Sequence, residues 1–582
     1  MFPLGGLPKA SPELSRVLTK GTFLDSYLSS DSSLHLLNCP DPLRQILYTT
    51  MWPFNLFSNF TRTERVNILK YAAGIMFYKF ALEYFNGSFI TIANERFVVN
   101  KYTKIAILTG INSAMQCIGS ILIAPLIKRF PTRSVLASAV LTFSLISTLP
   151  LICDAATGGQ LKFRTSNNKT KYGTWNPNGL FPIYIISGVA YGMVELIRRV
   201  IPRDIVGGDV QKLKRMDAVI HVLYEVAGTT GAFTSPSLIT KFGYNYSAFL
   251  SPIFFACAAI VWRTVSDVAS LEEGKRTATQ LEQLERDELK AKQTYMHSAW
   301  VGIRSFGKAI YFGALLVTRD RKYIWLIPGY SIALYGHRYL ENGLAPIFAK
   351  QVLGTSSWSQ IIVGGSNFGE LLGALSVLLT ANVIQTPIPF LRLDALALNI
   401  VWILPFIAVT RGRVGDAWKV AACFIPISYG WAAGDVSLAA YIQSSLAKLE
   451  NVDPDVSALG AVMAFLYVSY IVLYAVLSSV LGKWVDRQLA ARVSAREILK
   501  YVGGVQFTVI CVVVLIATLI PKGALALNPA LIDGVNIENE EGDTESADHS
   551  DKDEKYRNED LKGFDVSGSP TPLTAPKGST GL

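Results

Sequence analysis

The sequence has little of what a soluble enzyme or a metal site requires. Only 17% of its 582 residues are charged and half are hydrophobic, whereas soluble domains carry about 25% charged residues. It has five histidines, and its six cysteines stand singly, with no Cys-x-x-Cys pair. These shortages exclude a soluble enzyme, a disulfide-stabilised scaffold and, despite a net charge of +10, a nucleic-acid-binding protein. We therefore expect no bound metal and no cofactor.

Apolar segments long enough to cross a membrane fill most of the chain. A helix of about 20 predominantly apolar residues spans the hydrocarbon core of a bilayer. Windows of about 19 residues predict about twelve such spans. They lie near residues 68–95, 104–127, 132–152, 179–201, 217–240, 246–264, 323–349, 358–381, 389–409, 417–441, 457–482 and 501–522. The sequence thus predicts an all-α membrane protein surrounded by the lipid bilayer.

The segments outside the spans differ from them in composition. Residues 1–66 lack the basic head and apolar core of a signal peptide, so we expect a cytosolic tail in which residues 43–60 lie on the membrane surface. Residues 265–322 form a charged cytosolic linker, in which residues 298–316 are predicted to lie on the inner membrane surface as a helix. Residues 523–582 are acidic and then rich in Gly, Ser, Pro and Thr, a composition typical of disorder.

Basic residues indicate how the chain crosses the membrane. They are concentrated after the second and fourth predicted spans and in the linker, so these segments are predicted to be cytosolic. The third loop then faces the other side, where the sequon Asn168-Lys169-Thr170 is open to glycosylation. The basic loop at 483–500 departs from this rule, because twelve spans place it on the non-cytosolic side. We expect an integral protein of the plasma membrane or an endomembrane, with both termini in the cytosol.

The two groups of six spans, 67–264 and 323–522, carry a faint internal repeat. Ala218–Glu225 of the fifth span matches Ala461–Val468 of the eleventh at Ala, Val, Leu and Tyr. Three further matches follow the same order: Gln116 and Gly119 with Glu370 and Gly373, Glu83, Phe85, Asn86 and Gly87 with Tyr339, Glu341, Asn342 and Gly343, and Tyr191-Gly192 with Tyr429-Gly430. Such repeats are typical of transporters built from two bundles related by an axis along the membrane normal. The sequence therefore predicts two six-helix bundles.

Several motifs resemble the major facilitator superfamily. Leu238–Phe249 is similar to that family's segment joining spans five and six, and Ser187–Met193 is similar to its Gly-rich fourth span. The family's signature after span two is reduced here to Ala124, Lys128, Arg129, Pro131 and Arg133, and a fuller version follows span eleven as Gly482-Lys-Trp-Val-Asp486-Arg487. The resemblance covers residues 65–522.

This resemblance implies the major facilitator fold, in which spans one, four, seven and ten line a central cavity. It also implies a gating role for the residues that match the signature. Those residues are Asp486, Arg487, Arg129 and Arg133.

A shorter motif is similar to the corresponding loop of ferroportin-type metal exporters. It consists of Pro202-Arg203-Asp204, Gly208-Asp209 and Lys212-Leu213. This similarity and the excess of acids in the cavity helices favour, as an alternative, export of a metal or an organic cation.

Ionisable and amide side chains inside the spans are the candidate site residues, because each charge costs about 2.5 kcal/mol or more at the bilayer centre. Each of the four spans expected to line the cavity carries one acid. We predict a substrate- and proton-binding set of Lys79, Glu83, Asn112, Gln116, Glu195, His221, Glu225, His337, Arg338, Glu341, Glu370 and Asp435. Glu83 and Glu341 are the leading candidates for proton carriers, since the repeat places them on equivalent helices.

A structural interpretation of these residues stays open beside the functional one. Lys79 with Glu83, four apart, and Arg338 with Glu341, three apart, share helix faces and are also typical of internal ion pairs. Glu195 lies among basic residues typical of an anchoring network. His221 is equally typical of a packing histidine, and the amides of Asn112 and Gln116 could bond to a neighbouring helix.

The sequence predicts a secondary active transporter that moves a polar or charged small solute by alternating access, coupled to protons. It has no P-loop, so ATP is not the expected energy source. A polytopic lipid or acyl transferase is the alternative of another class, but no His-x-x-x-x-Asp motif or metal-spaced cluster supports an enzyme. We expect a monomer with no nucleic-acid partner.

Overall fold

The computed structural model describes residues 60–206, 210–266, 295–319, 321–380, 383–384, 386–446, 458–521 and 523–526. The predicted N-terminal tail before residue 60, the charged segment 267–294 and the tail beyond residue 526 lie outside the described residues. The described chain is almost entirely helical, with one isolated antiparallel bridge between Gln160 and Lys171.

Twelve helices of the described chain coincide with the twelve predicted spans, and we number them in chain order. They are α1 Arg62–Arg96, α2 Lys101–Arg129, α3 Thr132–Ala156, α4 Leu180–Val206, α5 Val210–Phe242, α6 Leu250–Arg263, α7 residues 321–353, α8 Ser359–Thr380, α9 Ile388–Phe406, α10 Val414–Leu446, α11 Ala458–Ala490 and α12 Ala495–Ala517. Helices α1–α6 pack together as the first half, and α7–α12 pack together as the second half. The predicted fold of two six-helix bundles is confirmed.

Seven helices in the described ranges are long and apolar enough to cross a membrane, judged by length and composition alone. They are α2, α3, α4, α9, α11, α12 and the helix Tyr295–Arg319. Helices α1, α5 and α7 are outside this set, and each carries charged side chains near its middle, among them Lys79, Glu225 and Arg338. The least apolar helices are therefore among those that bring charge into the protein interior.

The helix Tyr295–Arg319, which we call the linker helix, coincides with the predicted interfacial segment. It packs against α2 of the first half and α11 of the second half. The Tyr295 hydroxyl donates a hydrogen bond to the carbonyl oxygen of Leu122 (3.0 Å), and Gly313 contacts Ala461. Its outer face exposes tryptophan, isoleucine, arginine and lysine side chains. The linker helix therefore touches both halves of the protein.

The ends of the helices gather at two ends of the molecule. We call the end that holds the loop 157–176 the sequon end, and the end where the chain passes Ser266 and Tyr295 the linker end. At the linker end, Asn67 of α1 exchanges two hydrogen bonds with the backbone of Ser266 (3.2 and 3.1 Å). These bonds fix the start of α1 against the end of α6.

Glu64 caps α1 at the linker end, before the first predicted span. Its carboxylate accepts hydrogen bonds from the backbone N–H of Thr61 (2.6 Å) and from Lys212 of α5 (2.9 Å). Burial alone would raise the pKa of Glu64, but the hydrogen bonds from Lys212 and Thr61 outweigh it, so the pKa lies below its ordinary value. The capping carboxylate thus joins α1 to α5 as well as closing the first turn of α1.

One buried carboxylate organises the loops of the sequon end. Asp154, which lies in the last turn of α3 and is 1% exposed, accepts hydrogen bonds from Arg96 (2.8 Å), Trp175 (2.9 Å) and Asn245 (2.5 Å). It also accepts the backbone N–H of Gly173 (2.9 Å). A buried charge persists when it is paired and fully hydrogen-bonded, so this cluster holds α1, α3 and the two neighbouring loops in one arrangement.

Helices α2 and α4 pack in the same manner as α8 and α10. Gly119 of α2 lies against the carbonyl oxygen of Val189 in α4, and Gly373 of α8 lies against that of Tyr429 in α10. A side chain at either glycine would overlap the backbone of the partner helix, so these close approaches require glycine. The two glycines match in the internal repeat, and they occupy equivalent packing positions in the two halves.

Candidate functional site

A cavity of about 850 Å³ lies between the two halves. It is lined by α1, α2, α4 and α5 of the first half, with Phe143 of α3, and by α7, α8, α10 and α11 of the second half. It also reaches Phe306 of the linker helix. The four helices that the resemblance implied, α1, α4, α7 and α10, are all among them. The volume falls within the range of about 300–1,000 Å³ that is usual for small-molecule sites.

Lys79 and Glu83 form an ion pair on the cavity face of α1. Their side chains are 2.5 Å apart across one helical turn, and Lys79 is 7% exposed. The Lys79 ammonium also lies over the ring of Tyr224 on α5, 4.4 Å from its centroid. The pair is therefore held between two helices of the first half, with its carboxylate at the cavity wall.

Arg338 and Glu341 form the corresponding ion pair on α7, with a separation of 2.9 Å. Glu341 also accepts a hydrogen bond from Ser366 of α8 (2.9 Å), whose hydroxyl lies 2.6 Å from that of Ser428 on α10. Glu341 falls in a π-helical turn, Leu340–Leu344, one of three in α7. Such turns widen a helix locally and are frequent at functional sites.

Glu195 and Arg198 form a third ion pair, on α4. The guanidinium of Arg198 donates to the Glu195 carboxylate through two nitrogens (2.7 and 2.6 Å), and the Tyr78 hydroxyl of α1 donates to the same carboxylate (3.4 Å). Arg198 also lies over the ring of Tyr224, 4.6 Å from its centroid. These contacts fit the anchoring interpretation, although both residues line the cavity.

Asn112 and Gln116 of α2 join that helix to α4 and α11 at the cavity wall. The Asn112 amide donates to the carbonyl oxygen of Tyr184 on α4 (2.7 Å) and accepts from Gln116 (2.9 Å). Gln116 in turn accepts a hydrogen bond from the hydroxyl of Tyr467 on α11 (3.3 Å). Both amides line the cavity, and Gln116 bonds to the other half.

Four more predicted residues line the cavity: His221 and Glu225 on α5, Glu370 on α8 and Asp435 on α10. Glu225 is 6% exposed, and its Oε2 atom has no hydrogen-bond partner. Glu225 and Glu370 form no ion pair with any cation of the described residues, whereas the three acids above each hold a cation on their own helix.

Of the predicted substrate- and proton-binding set, His337 is the one residue that does not line the cavity. Its Nε2 atom is 2.8 Å from a carboxylate oxygen of Asp394 on α9, and both side chains are buried. The ring stacks on Trp431 of α10, with centroids 4.9 Å apart, and Trp431 faces the cavity. Because successive residues of a helix point in different directions, the His337 side chain points away from the cavity while that of its neighbour Arg338 lines it.

Sequence reasoning missed the tyrosines of α11. Tyr467, Tyr470 and Tyr474 line the cavity, with ring centroids 5.5 Å and 6.1 Å apart in succession. Their spacing of three and four residues is the signal that could have found them, since it places all three on one helix face. The polar residue Asn367 of α8 was also missed, although it lines the cavity and is 3% exposed.

Polar contacts join the two halves at the sequon end. Glu95, at the end of α1, accepts hydrogen bonds from Lys350 (2.6 Å) and from Ser356 of the second half. The Gln351 amide donates to the hydroxyl of Tyr102 on α2 (3.0 Å). We call these five residues, together with Asp486, the latch.

Asp486 caps α2 from the other half of the protein. The residue that precedes α2, Asn100, has a left-handed backbone (φ 50°) and makes no side-chain capping bond. Asp486, near the end of α11, accepts instead from the backbone N–H groups of Tyr102 (3.1 Å) and Thr103 (2.9 Å) and from the Thr103 hydroxyl (2.8 Å). A carboxylate at a helix N-terminus is stabilised by the unpaired N–H groups and by the helix dipole.

The other predicted gating residues lie elsewhere. Arg487 is exposed, and Arg133 donates to the carbonyl oxygen of Val265 at the end of α6 (2.7 Å), within the first half. Arg129 ends α2, and its side chain is outside the described part of the structure. Asp486 is therefore the gating candidate for which the structure shows a contact between the halves.

The predicted glycosylation site lies on a turn at the sequon end. Asn168 is exposed and has a left-handed backbone (φ 47°), which asparagine tolerates well. Thr170 of the same sequon accepts a hydrogen bond from the backbone N–H of Tyr244 (3.4 Å). The asparagine side chain is thus sterically accessible.

The chain is similar to known transporters in sequence and in fold. The sequence model of the Major Facilitator Superfamily matches residues 72–452. No curated protein sequence matches the chain. A peptide transporter POT in complex with sulfate shares the fold, with a TM-score of 0.52 and 12% identity over 80% of this chain and 96% of that one. A POT family transporter in complex with 5-aminolevulinic acid gives a TM-score of 0.51 and 11% identity over 78% and 96%.

Proposed function

The chain belongs to the Major Facilitator Superfamily and is a membrane transporter, and from this premise we propose that it moves a polar or charged small solute by alternating access, coupled to protons. The observation that carries the proposal is the pair of like-built ion pairs, Lys79 with Glu83 and Arg338 with Glu341, on equivalent helices of the two halves. Both face a cavity that lies between the halves.

The latch supports alternating access. Its bonds join α1 and α2 to the second half at the sequon end, while the cavity extends toward Arg198 and Met463 near the linker end. A solute that enters from the linker end is separated from the sequon end by the latch. Release to the other side then requires these few polar contacts to break as the halves rock.

The two ion pairs support coupling to protons. A carboxylate that takes up a proton no longer holds its cationic partner, so proton binding changes the charge balance of the half that carries it. Glu341 also bonds to Ser366, so its protonation weakens the contact between α7 and α8 as well. Proton binding and helix movement are thereby linked in the second half.

Substitution of the two carboxylates tests this coupling. Reconstituted protein is assayed with a panel of labelled polar solutes, with and without a pH gradient. We expect Glu83→Gln and Glu341→Gln to reach the membrane and keep solute exchange, but to lose at least about tenfold in gradient-driven accumulation, because a group that never titrates cannot link two conformations to proton binding. Glu497→Gln is the matched control, since Glu497 pairs with Lys500 outside the cavity.

The structural interpretation makes a different forecast. If the pairs serve only packing, each single variant loses thermal stability because a buried charge stays unpaired, and Lys79→Gln with Glu83→Gln recovers both stability and driven uptake. Recovery of driven uptake in that double variant would remove Glu83 as a carrier. Failure of any solute to accumulate in the wild type under a pH gradient would contradict proton coupling altogether.

We further propose that the linker end faces the cytosol. The basic residues after α2 and α4 and in the linker support this orientation, because the short cytosolic loops of membrane proteins carry an excess of Lys and Arg. The exposed sequon at the opposite end is consistent with it, since glycosylation occurs on the non-cytosolic face. The basic loop 483–500 then lies on the non-cytosolic side.

A further inference from the structure

The charges that line the cavity do not balance within the described residues. Six acids line it, Glu83, Glu195, Glu225, Glu341, Glu370 and Asp435, against three strong cations, Lys79, Arg198 and Arg338. Each of these cations is already bonded to an acid on its own helix. Glu225 and Glu370 are left without a hydrogen-bonded cation.

These two acids belong to one seam between the halves. Glu225 lies on α5 and Glu370 on α8, and the two helices pack directly on each other, with Gly364 of α8 against Phe233 of α5. Both carboxylates line the cavity. A site made by both would contain one carboxylate from each half.

Unpartnered polar atoms cluster at the same seam. The Oε2 atom of Glu225, the hydroxyl of Thr229 one turn further along α5, and the amide nitrogen of Asn367 one turn before Glu370 are all buried without a hydrogen-bond partner. Glu225 is 6% and Asn367 3% exposed, and both line the cavity. A buried polar atom without a partner is costly, so several at one place indicate that a ligand completes their bonding.

The chemistry of these groups specifies the ligand. The unpaired carboxylate oxygen of Glu225 and the Thr229 hydroxyl accept hydrogen bonds, and a primary ammonium supplies three N–H donors together with the missing positive charge. The unpaired amide nitrogen of Asn367 is itself a donor, so it fits a polar acceptor on the body of the solute and not the ammonium head. The cavity also offers the faces of Tyr467, Tyr470 and Tyr474, which favour an apolar or aromatic body next to a cation.

We propose that the transported solute is a primary organic ammonium whose charged head binds between Glu225 of α5 and Glu370 of α8. This inference rests on the proposed transport function and narrows its substrate class. Because the two acids come from different halves, the bound head touches both sides of the moving seam. The ion-paired acids Glu83 and Glu341 remain available for protons.

The experiment measures binding to the full-length protein in detergent by its thermal midpoint. The probes share one body and differ in the head group: 2-phenylethylammonium, 2-phenylethanol and 3-phenylpropionate, with butylammonium, butanol and butyrate as a second series. We expect stabilisation by the two ammonium probes and none by the alcohols or carboxylates.

Substitutions then locate the head group. Glu225→Gln and Glu370→Gln are expected to weaken apparent affinity for the ammonium probes at least about tenfold, and the control Glu497→Gln to leave it unchanged. If one Gln variant does not fold, Thr229→Val gives a milder loss at the same seam. Stabilisation by an alcohol or carboxylate, equal binding by the Gln variants, or no stabilisation by either ammonium overturns the inference.

The ammonium inference can fail while the proposed function stands. If driven uptake of an alcohol or carboxylate solute occurs and depends on Glu83 or Glu341, proton-coupled transport stands while the ammonium class falls. If the Gln variants at Glu225 and Glu370 keep ammonium binding but lose pH dependence, the two acids are proton sites, which also overturns the inference.

Discussion

At the scale of single residues, the three ion pairs that line the cavity join neighbours on one helix. Lys79 with Glu83, Glu195 with Arg198, and Arg338 with Glu341 are three or four residues apart on one helix. Pairs of this spacing form as the helix forms and lower the cost of placing charge in the membrane interior. Asp486 differs from them, because its bonding partners are 383 and 384 residues away in the sequence.

The capping role of Asp486 predicts a local effect on α2. Asp486→Ala removes the acceptor for the N–H groups of Tyr102 and Thr103, and loss of a cap costs about 1 kcal/mol. We expect amide hydrogen exchange at the start of α2 to accelerate about fivefold, as measured by mass spectrometry on the purified protein. Arg487→Ala, which changes the exposed neighbour of the same motif, serves as the control. Unchanged exchange in Asp486→Ala would contradict the capping role.

At the scale of elements, the linker helix connects the two halves at the linker end, as the latch connects them at the sequon end. It packs on α2 and α11, one helix from each half, and Phe306 on its inner side reaches the cavity. Its aromatic and basic outer face is typical of a helix lying in the membrane interface. Under the proposed alternating access, movement of the halves at the linker end would displace this helix.

A glycine of the linker helix predicts how tightly it is held. A side chain at Gly313 would overlap the carbonyl oxygen of Ala461 on α11, whereas nothing lies within 4 Å of a side chain built on Gly307. We expect Gly313→Val to destabilise the packed helix by about 1–3 kcal/mol, the usual cost of overpacking. Faster tryptic cleavage at Arg304 and Lys308 and a lower thermal midpoint would show it.

Gly307→Val is the matched control for that experiment. It makes the same substitution on the same helix at a position with free space, so helix propensity changes equally in both variants. Equal cleavage rates in the two variants would mean that the linker helix is not held by its contact with α11.

At the scale of the whole molecule, two halves with the same internal packing meet at two seams. Helix α2 meets α11 at one seam, and α5 meets α8 at the other. The halves are joined at the sequon end by the latch and are bridged by the linker helix at the linker end. Under the proposed alternating access, the halves would separate at one end of the cavity while their contacts at the other end persist.

The proposed orientation predicts glycosylation of the sequon end. In a eukaryotic host, Asn168 should carry a glycan, because it is exposed on a turn at the end opposite the basic linker. Asn168→Gln should abolish a mobility shift that a glycosidase removes. Asn86→Gln is the internal comparison, since Asn86 also begins a sequon but lines the cavity. Cleavage of the loop 157–176 by a protease added on the cytosolic side would reverse the orientation.

The fold followed from the sequence because it depends on local properties. Length and hydropathy located all twelve helices, and most helix ends lie within a few residues of the prediction. The largest shifts are at the end of α11, which reaches Ala490 where the span was predicted to end at residue 482, and at the start of α5, which begins at Val210 where the span was predicted from residue 217. Helix α5 begins earlier because its polar first turns, residues 210–216, are helical although they lie outside the apolar span. The charged pairs were also readable, since their spacing of three or four residues is a property of a single helix.

The neighbours of each helix were decided only by tertiary structure. The apolar sequences of α7 and α9 do not indicate that His337 contacts Asp394 behind the cavity wall. The sequence likewise does not indicate that Asp486 caps α2. Helices in a membrane associate through a few small residues and polar contacts rather than through a continuous pattern, so the sequence determines which segments are helices and which residues carry charge. Which acids keep a cation and which, like Glu225, remain without one depends on the helices that happen to pack beside them.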